Sequence, residues 1–112
     1  MTEEYLDILN EKGELTGESG TSKYVHGKGL LHRVVHVWIL DKNKKLLLQK
    51  RSLKMTAYAN YWDISSAGHI STGQTSIEAA QRETEEELGL TFPSEIFKYL
   101  FTIEDRAILR GN

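Results

Sequence analysis

The chain has no cysteine and no long apolar run. Without cysteine there is no disulfide, no thiolate zinc site and no cysteine nucleophile. No apolar stretch approaches membrane-spanning length. The N-terminal Met-Thr-Glu-Glu also lacks the basic and apolar character of a signal segment, so the expected location is the cytoplasm. Neither sign of charge dominates: 14 Lys and Arg against 16 Asp and Glu leave a net charge of only -2. That balance gives no electrostatic argument for binding a nucleic-acid polymer or an anionic membrane. Repeats and low-complexity tracts are absent as well. The remaining composition, 39% apolar and 27% charged over 112 residues, describes one ordinary soluble domain with a modest core.

The acidity is local. Arg82, Glu83, Glu85, Glu86 and Glu87 sum to -3, more than the imbalance of the whole chain. Thr75-Ser76-Ile77-Glu78 reads as a capping box and Gly89 as a left-handed stop, which predicts a helix over about 75 to 88. Its C-terminal end carries the negative pole of the helix, where carboxylates are unfavourable. Glu83 shares a face with Glu86 and Glu87 and should be repelled by both, while Glu85 points nearly the opposite way and is expected to be solvated. A divalent cation would reverse the penalty. Oxygen-only ligands suit Mg2+ or Mn2+, which also keep waters and phosphate oxygens in their shells. The competing reading is a solvated acidic helix face.

The segment from Gly68 through Gly73 and Gln74, then after seven residues Arg82-Glu83-Thr84-Glu85-Glu86-Glu87-Leu88-Gly89-Leu90, resembles the box of the Nudix family. His32-Arg-Val-Val-His-Val-Trp-Ile-Leu, Leu46-Leu-Leu-Gln-Lys-Arg51 and Tyr61-Trp-Asp63 also resemble this family, in the branch close to isopentenyl-diphosphate isomerases. Two box positions depart from its pattern. Gln74 stands where the family has a Glu, which puts metal affinity or a second metal position in question. Thr84 stands where an apolar residue is usual, and its methyl can still pack beside Ile77, Ala80 and Leu88.

The resemblance implies metal-dependent hydrolysis of a diphosphate linked to a nucleoside or other organic group. It places the metal on Glu83, Glu86 and Glu87 and the chemistry on these three with Arg82. Arg82 would orient the carboxylates through Glu86, four residues on; its alternative is a surface ion pair with Glu78. Arg51, Gly68, His69 and Gly73 are the candidate substrate contacts. The glycine loop and the helix start at Thr75 offer N–H groups to phosphate, a signal that is weak alone. Lys50 is an equal candidate for phosphate or solvent, and Trp62 for stacking on a base or, more readily, for packing. Glu104 and Asp105 are the last acidic residues able to serve as a general base.

In the isomerase branch, histidines near positions 26, 32 and 69 help bind a metal, and a cysteine two residues before the last is essential. His26, His32 and His69 are present here, with the first pair one residue short of that spacing, but the cysteine position is Ala67. Alanine cannot exchange a proton with an allylic carbon, so isomerisation is disfavoured. A non-catalytic diphosphate-binding module stays an alternative.

Read along the chain, Glu4 to Leu9 and Glu14 to Thr16 form a hairpin turning at Asn10–Gly13, and 17 to 29, with four glycines, is a connecting loop. Strands follow at 31 to 40, with Val35, Val37 and Ile39 on one face, and at 46 to 50, joined by a polar turn. The segment 52 to 61 reads as loop, 62 to 66 as a short strand feeding the Gly68–Gly73 loop, and 96 to 104 as a last strand. The fold class is α+β. The resemblance sharpens it to an α/β/α sandwich around a mixed sheet with the box as loop–helix–loop, in a single domain of residues 1 to 112. Family members continue with further strands and a helix, so a truncated form is expected. The alternative is a sheet completed by a second copy, as a homodimer, or by a partner; an incomplete sheet with an open edge predicts association or aggregation.

Overall fold

The helix that carries the box, α2 (Ser76–Leu88), begins and ends where its sequence dictates. Thr75 Oγ1 accepts the Glu78 N–H at 3.1 Å, and Glu78 Oε1 accepts the Thr75 N–H at 2.8 Å, so the first turn has its donors satisfied. Gly89 closes the helix at φ 70°, in the left-handed region. In this computed structural model, residues 3–50 and 62–104 are described. Around α2 stand β1 (Tyr5–Leu9), β2 (Leu15–Thr21), α1 (Ser22–Gly27), β3 (Val34–Val37), β4 (Gln49–Lys50), β5 (Trp62–Asp63) and β6 (Ser66–His69); a 3-10 turn follows at Ser94–Ile96.

Among the described residues the strands pair as three antiparallel ladders: β1 with β2, β3 with β6, and β4 with β5. In the central ladder Val34 faces His69 and Val37 faces Ser66. Helix α2 packs on β6 and β3, while α1 packs on β1 and β2. The hairpin is tied to the loop after β6 by a bridge between Leu6 and Ser71 and by the Thr72 N–H to the Tyr5 carbonyl at 2.7 Å. That seam brings the N-terminal residues to the end of β6, where the box begins.

The apolar core is small: Leu6, Val25, Val37, Ile70, Ala79 and Ala80 are buried. Burial of one side chain such as Leu6 contributes about 2 kcal/mol, and the two alanines let α2 approach the sheet closely. Val37 points inward from β3 with Val35 and Ile39 half-buried on its side, while Val34, His36 and Trp38 are exposed, the alternation expected of this strand. Buried beside this core are the hydroxyls of Ser66 and Thr84, paired at 3.1 Å. Thr84 therefore does more than pack its methyl. Its hydroxyl partners a serine that the helix would otherwise cover.

Several expected elements differ. Residues 17–29 are not a loop: β2 runs on to Thr21, and α1 follows, capped by Thr21 Oγ1 accepting the Tyr24 N–H at 3.1 Å. Only Val25 of this six-residue helix is buried, too little for an apolar period to be visible. The strands expected at 31–40 and 46–50 are shorter, because Ser65 intervenes. Its hydroxyl accepts the Ile39 N–H at 2.8 Å and donates to the Leu47 carbonyl at 2.6 Å, replacing ladder bonds with side-chain bonds. Gly68 and His69 lie in a strand rather than a loop. Residues 97–104 form no strand. Alternation selects a face but supplies no partner, and Tyr99, Leu100, Phe101 and Ile103 are all exposed. The expected loop at 52–61 lies outside the described residues.

Thr84→Val is expected to leave the Ser66 hydroxyl buried without a partner and to cost about 1–3 kcal/mol. The double variant Thr84→Val/Ser66→Ala should recover most of that loss. Urea unfolding of the two variants checks this; equal destabilisation in both would show that the hydroxyl pair is not the cause.

Candidate active site and histidine cluster

Arg82 is the hub of the site. Its Nη1 donates to Glu83 Oε1 at 2.8 Å and to Glu86 Oε1 at 3.2 Å. Its Nη2 donates to the His69 carbonyl at 2.9 Å and to Gln74 Oε1 at 3.3 Å. The guanidinium thus fastens the middle of α2 to the end of β6 and to the loop between them. The ion pair is with Glu86 rather than Glu78, which is occupied by the capping box. Gln74 Oε1 also accepts the Ser71 N–H at 3.1 Å, so the neutral amide orders the loop and Arg82 as an acceptor, work that needs no negative charge.

Glu83 is buried against the backbone of β6. A Cβ on Gly68 would lie 2.1 Å from the Glu83 carboxyl carbon, so the carboxylate occupies the space a side chain would need. Close approach, and not an unusual dihedral, is what requires glycine there. Burial raises the Glu83 pKa from 4.5 to about 7, helped by the hydrogen bond and charge of Glu87 and opposed by Arg82. Glu87 Oε1 accepts from Gln49 Nε2 at 2.6 Å and lies 3.4 Å from the Ala67 N–H. Two carboxyls are therefore held together in a setting that favours a proton, or a cation, between them.

Glu86 is exposed and turned to Arg82, and the three glutamates do not converge as a set of three. Glu85 is exposed and accepts from Thr91 Oγ1, consistent with a solvated position.

Among the described residues, the one group of three or more His and acidic residues able to hold a metal is His26, His32 and His69, with ligand atoms all within 4.8 Å of one another. Their rings sit edge-on or tilted, with centroids 4.8 to 5.5 Å apart. His32 Nδ1 meets the Leu30 carbonyl at 2.9 Å, and His69 Nδ1 meets Glu4 Oε1 at 2.9 Å. Burial lowers the pKa of His26, and the charges of His69 and His32 lower it further, which favours the neutral, metal-binding ring. Burial opposes ionisation of Glu4, but its bonds to His69 and Ser71 and the charges of His69 and Arg82 outweigh that and hold it below the ordinary carboxylate range.

The remaining candidates are scattered. The N–H groups of Ser71, Thr72, Gln74 and Thr75 all have protein acceptors, so little of this loop is left to cradle an anion. Gly73 is exposed at φ 80° and serves the turn. Trp62 is exposed rather than packed, with Lys50 Nζ 5.8 Å from its ring centroid. Glu104 is exposed beyond the 3-10 turn, while Arg51 and Asp105 lie outside the described residues. Sequence reasoning missed Glu4, Gln49 and the N–H of Ala67, none of which belongs to a local pattern; only the fold brings them in.

Residues 30–109 match the NUDIX domain family. The chain belongs to the Nudix family. It is 50% identical to Nudix hydrolase 3 of Arabidopsis thaliana over 102 residues, covering 90% of this chain and 13% of that protein. An uncharacterised Nudix hydrolase of Listeria monocytogenes is 45% identical, over 78% of this chain and 52% of its own. An isopentenyl-diphosphate Delta-isomerase of Serratia proteamaculans is 34% identical, over 80% and 49%. Among solved structures, DR0079 of Deinococcus radiodurans superposes with a TM-score of 0.65 at 28% identity, over 79% of this chain and 54% of that one. The Nudix chain thus spans about half the length of these bacterial relatives and a small part of the plant protein. No helix among its described residues is long and apolar enough to cross a membrane.

The buried Glu83 carboxyl sets a pH dependence. Below about pH 4.5 the group is protonated folded and unfolded, and it has no effect on stability. Between about 4.5 and about 7 the unfolded chain releases a proton that the folded chain keeps, so stability falls as pH rises, and the deficit persists above that range. The unfolding free energy of the metal-free protein, read from urea titrations, is expected to fall across this window relative to Glu83→Gln, by on the order of 2 kcal/mol. Parallel profiles for the two proteins would show that Glu83 is not held protonated.

Proposed function

We propose that this Nudix domain hydrolyses the diphosphate linkage of a nucleoside diphosphate derivative or another small organic diphosphate, with Mg2+ or Mn2+ held at Glu83 and Glu87 and completed by Glu86. The observation that carries the proposal is the Glu83–Glu87 pair beside Gly68, whose like charges need a shared proton or a cation. The donor set fits a hard divalent ion, being carboxylate oxygen throughout. When bound, such an ion neutralises phosphate charge and lowers the pKa of a coordinated water.

The chain's own residues prepare that site. Arg82 fixes Glu83 by a charge-assisted bond and holds Glu86 near it, while Gln49 and the Ala67 N–H orient Glu87. His69, Gly68, Gly73 and Arg51 remain the proposed substrate contacts. The substrate is a small molecule rather than a nucleic-acid polymer or a membrane, and a homodimer in the cytoplasm is the proposed state of the protein.

The converging histidines favour a second metal position, at His26, His32 and His69. Imidazole nitrogen suits a softer ion than the carboxylate pair does, such as Zn2+ or Fe2+. This is the metal-binding trio of the isomerase branch, but the position of that branch's cysteine is Ala67, which lies beside Glu87 with no proton to exchange. Hydrolysis is therefore preferred over isomerisation.

Calorimetric titration with Mg2+ and Mn2+, followed by a phosphate-release screen over organic diphosphates, tests the proposal. Saturable binding and metal-dependent release are expected, with Glu83→Gln and Glu87→Gln each lowering turnover by at least about 100-fold. Full activity in both variants would remove this helix from the chemistry; diphosphate binding with no turnover in any metal would favour a binding module.

Gly68→Ala is expected to displace the Glu83 carboxyl and weaken Mn2+ binding at least about tenfold while the chain stays folded. Unchanged Mn2+ affinity in a folded Gly68→Ala protein would show that Glu83 does not need the space beside the strand.

A further inference from the structure

Glu4 lies in the stretch that precedes the matched domain region, which begins at residue 30. It is nonetheless built into the site. Its Oε1 meets His69 Nδ1 at 2.9 Å, its Oε2 accepts the Ser71 hydroxyl at 3.0 Å, and Arg82 Nη2 lies 3.9 Å from Oε2. Its carbonyl accepts the Ser22 N–H at 2.9 Å, which ties the start of β1 to the start of α1, the helix that carries His26.

We propose that Glu4 is a positioning residue for the histidine cluster, taking the Nδ1–H of His69 and leaving its Nε2 lone pair for an ion shared with His26 and His32. An ionised carboxylate only accepts, so the proton of the His69–Glu4 bond must sit on Nδ1 and the neutral ring is unprotonated at Nε2. The Leu30 carbonyl imposes the same tautomer on His32, because a carbonyl also only accepts. His26 Nδ1 meets the Ser22 hydroxyl at 3.3 Å, a partner that accommodates either tautomer. Two of the three rings are thus fixed with the nitrogen opposite their hydrogen bond ready to ligate.

A carboxylate behind a ligating imidazole also raises its basicity and holds its ring plane. Glu4 is held in turn by Ser71, so the orientation is set before any ion arrives. The Arg82 charge lies behind the same carboxylate, which links the histidine cluster to the glutamates of α2 through one side chain.

The inference rests on reading the three histidines as a metal position, and the test separates the two. Long-range proton–nitrogen correlation spectra of the metal-free protein, recorded above the imidazole titration range, report the His69 tautomer. Co2+ titration followed by visible absorption reports the cluster. Expected in the wild type are Nδ1–H for His69 and Co2+ binding that His32→Ala abolishes. Glu4→Ala should mix the His69 tautomers and weaken Co2+ binding by about 10–100-fold, with Glu4→Gln intermediate and retaining Nδ1–H. Should Glu4→Ala fail to fold, Glu4→Leu, which keeps side-chain bulk and removes the acceptor, replaces it in both readouts, and Ser71→Ala, which frees only one Glu4 oxygen, is expected to weaken Co2+ binding by a few-fold.

An unchanged His69 tautomer and unchanged Co2+ affinity in folded Glu4→Ala or Glu4→Leu would overturn the proposal. If the wild type binds no Co2+, the metal reading fails by itself. The tautomer comparison then decides whether Glu4 orients His69: a shift in Glu4→Ala or Glu4→Leu upholds the orienting role, and a tautomer identical to the wild type in these variants overturns it.

Discussion

One guanidinium with four acceptors holds the site together. Arg82 emerges from the middle of α2 and is bound by two carboxylates of its own helix, the amide of Gln74 and the carbonyl at the end of β6. Remove that charge and Glu83 and Glu87 would face one another with no compensation except a proton. The helix dipole makes the demand sharper, because Glu83, Glu85, Glu86 and Glu87 all lie in its negative half. An arginine suits this position better than a lysine would, since its planar fork reaches strand, loop and helix in fixed directions.

The second constraint is steric. Glu83 enters the layer between α2 and β6 only because Gly68 has no side chain, and the neighbouring Ala79 and Ala80 keep the helix close. The same proximity buries the Ser66–Thr84 hydroxyl pair. Packing and chemistry therefore share one interface: the small residues that let the helix approach the strand are what desolvate the carboxyl. Desolvation in turn raises its pKa and creates the preference for a counter-ion.

Legibility in the sequence followed the range of the interactions. The capping box, the Gly89 stop and the Arg82–Glu86 pair were readable because each is complete within four residues, and all are present. The α+β class and the family were readable from the box and its flanks. Helix α1 was hidden, since one buried residue leaves no period and its neighbouring glycines suggest a loop. The segment 97–104 misled for the opposite reason: it alternates like a strand, but strand formation depends on a partner elsewhere. Gly68 was read as loop although its neighbours in β6 pair across to Val34–Val37. Glu4 and Gln49 could not have been found at all, because their roles depend on contacts 65 and 38 residues away.

His69 shows why the two candidate metal positions should not be treated as independent. Its carbonyl accepts from Arg82 and its ring is held by Glu4, so one residue at the end of β6 belongs to both networks. Between them lies the Arg82–Glu4 approach of 3.9 Å, across which charge at one position is felt at the other. An ion among the histidines would add positive charge behind Glu4 and weaken the hold of that carboxylate on Arg82. Arg82 would then be freer to pair with Glu83 and Glu86, the groups that must be fixed for an ion on α2. The coupling must be reciprocal if it is present at all, because a binding free energy shared between two sites is the same seen from either one.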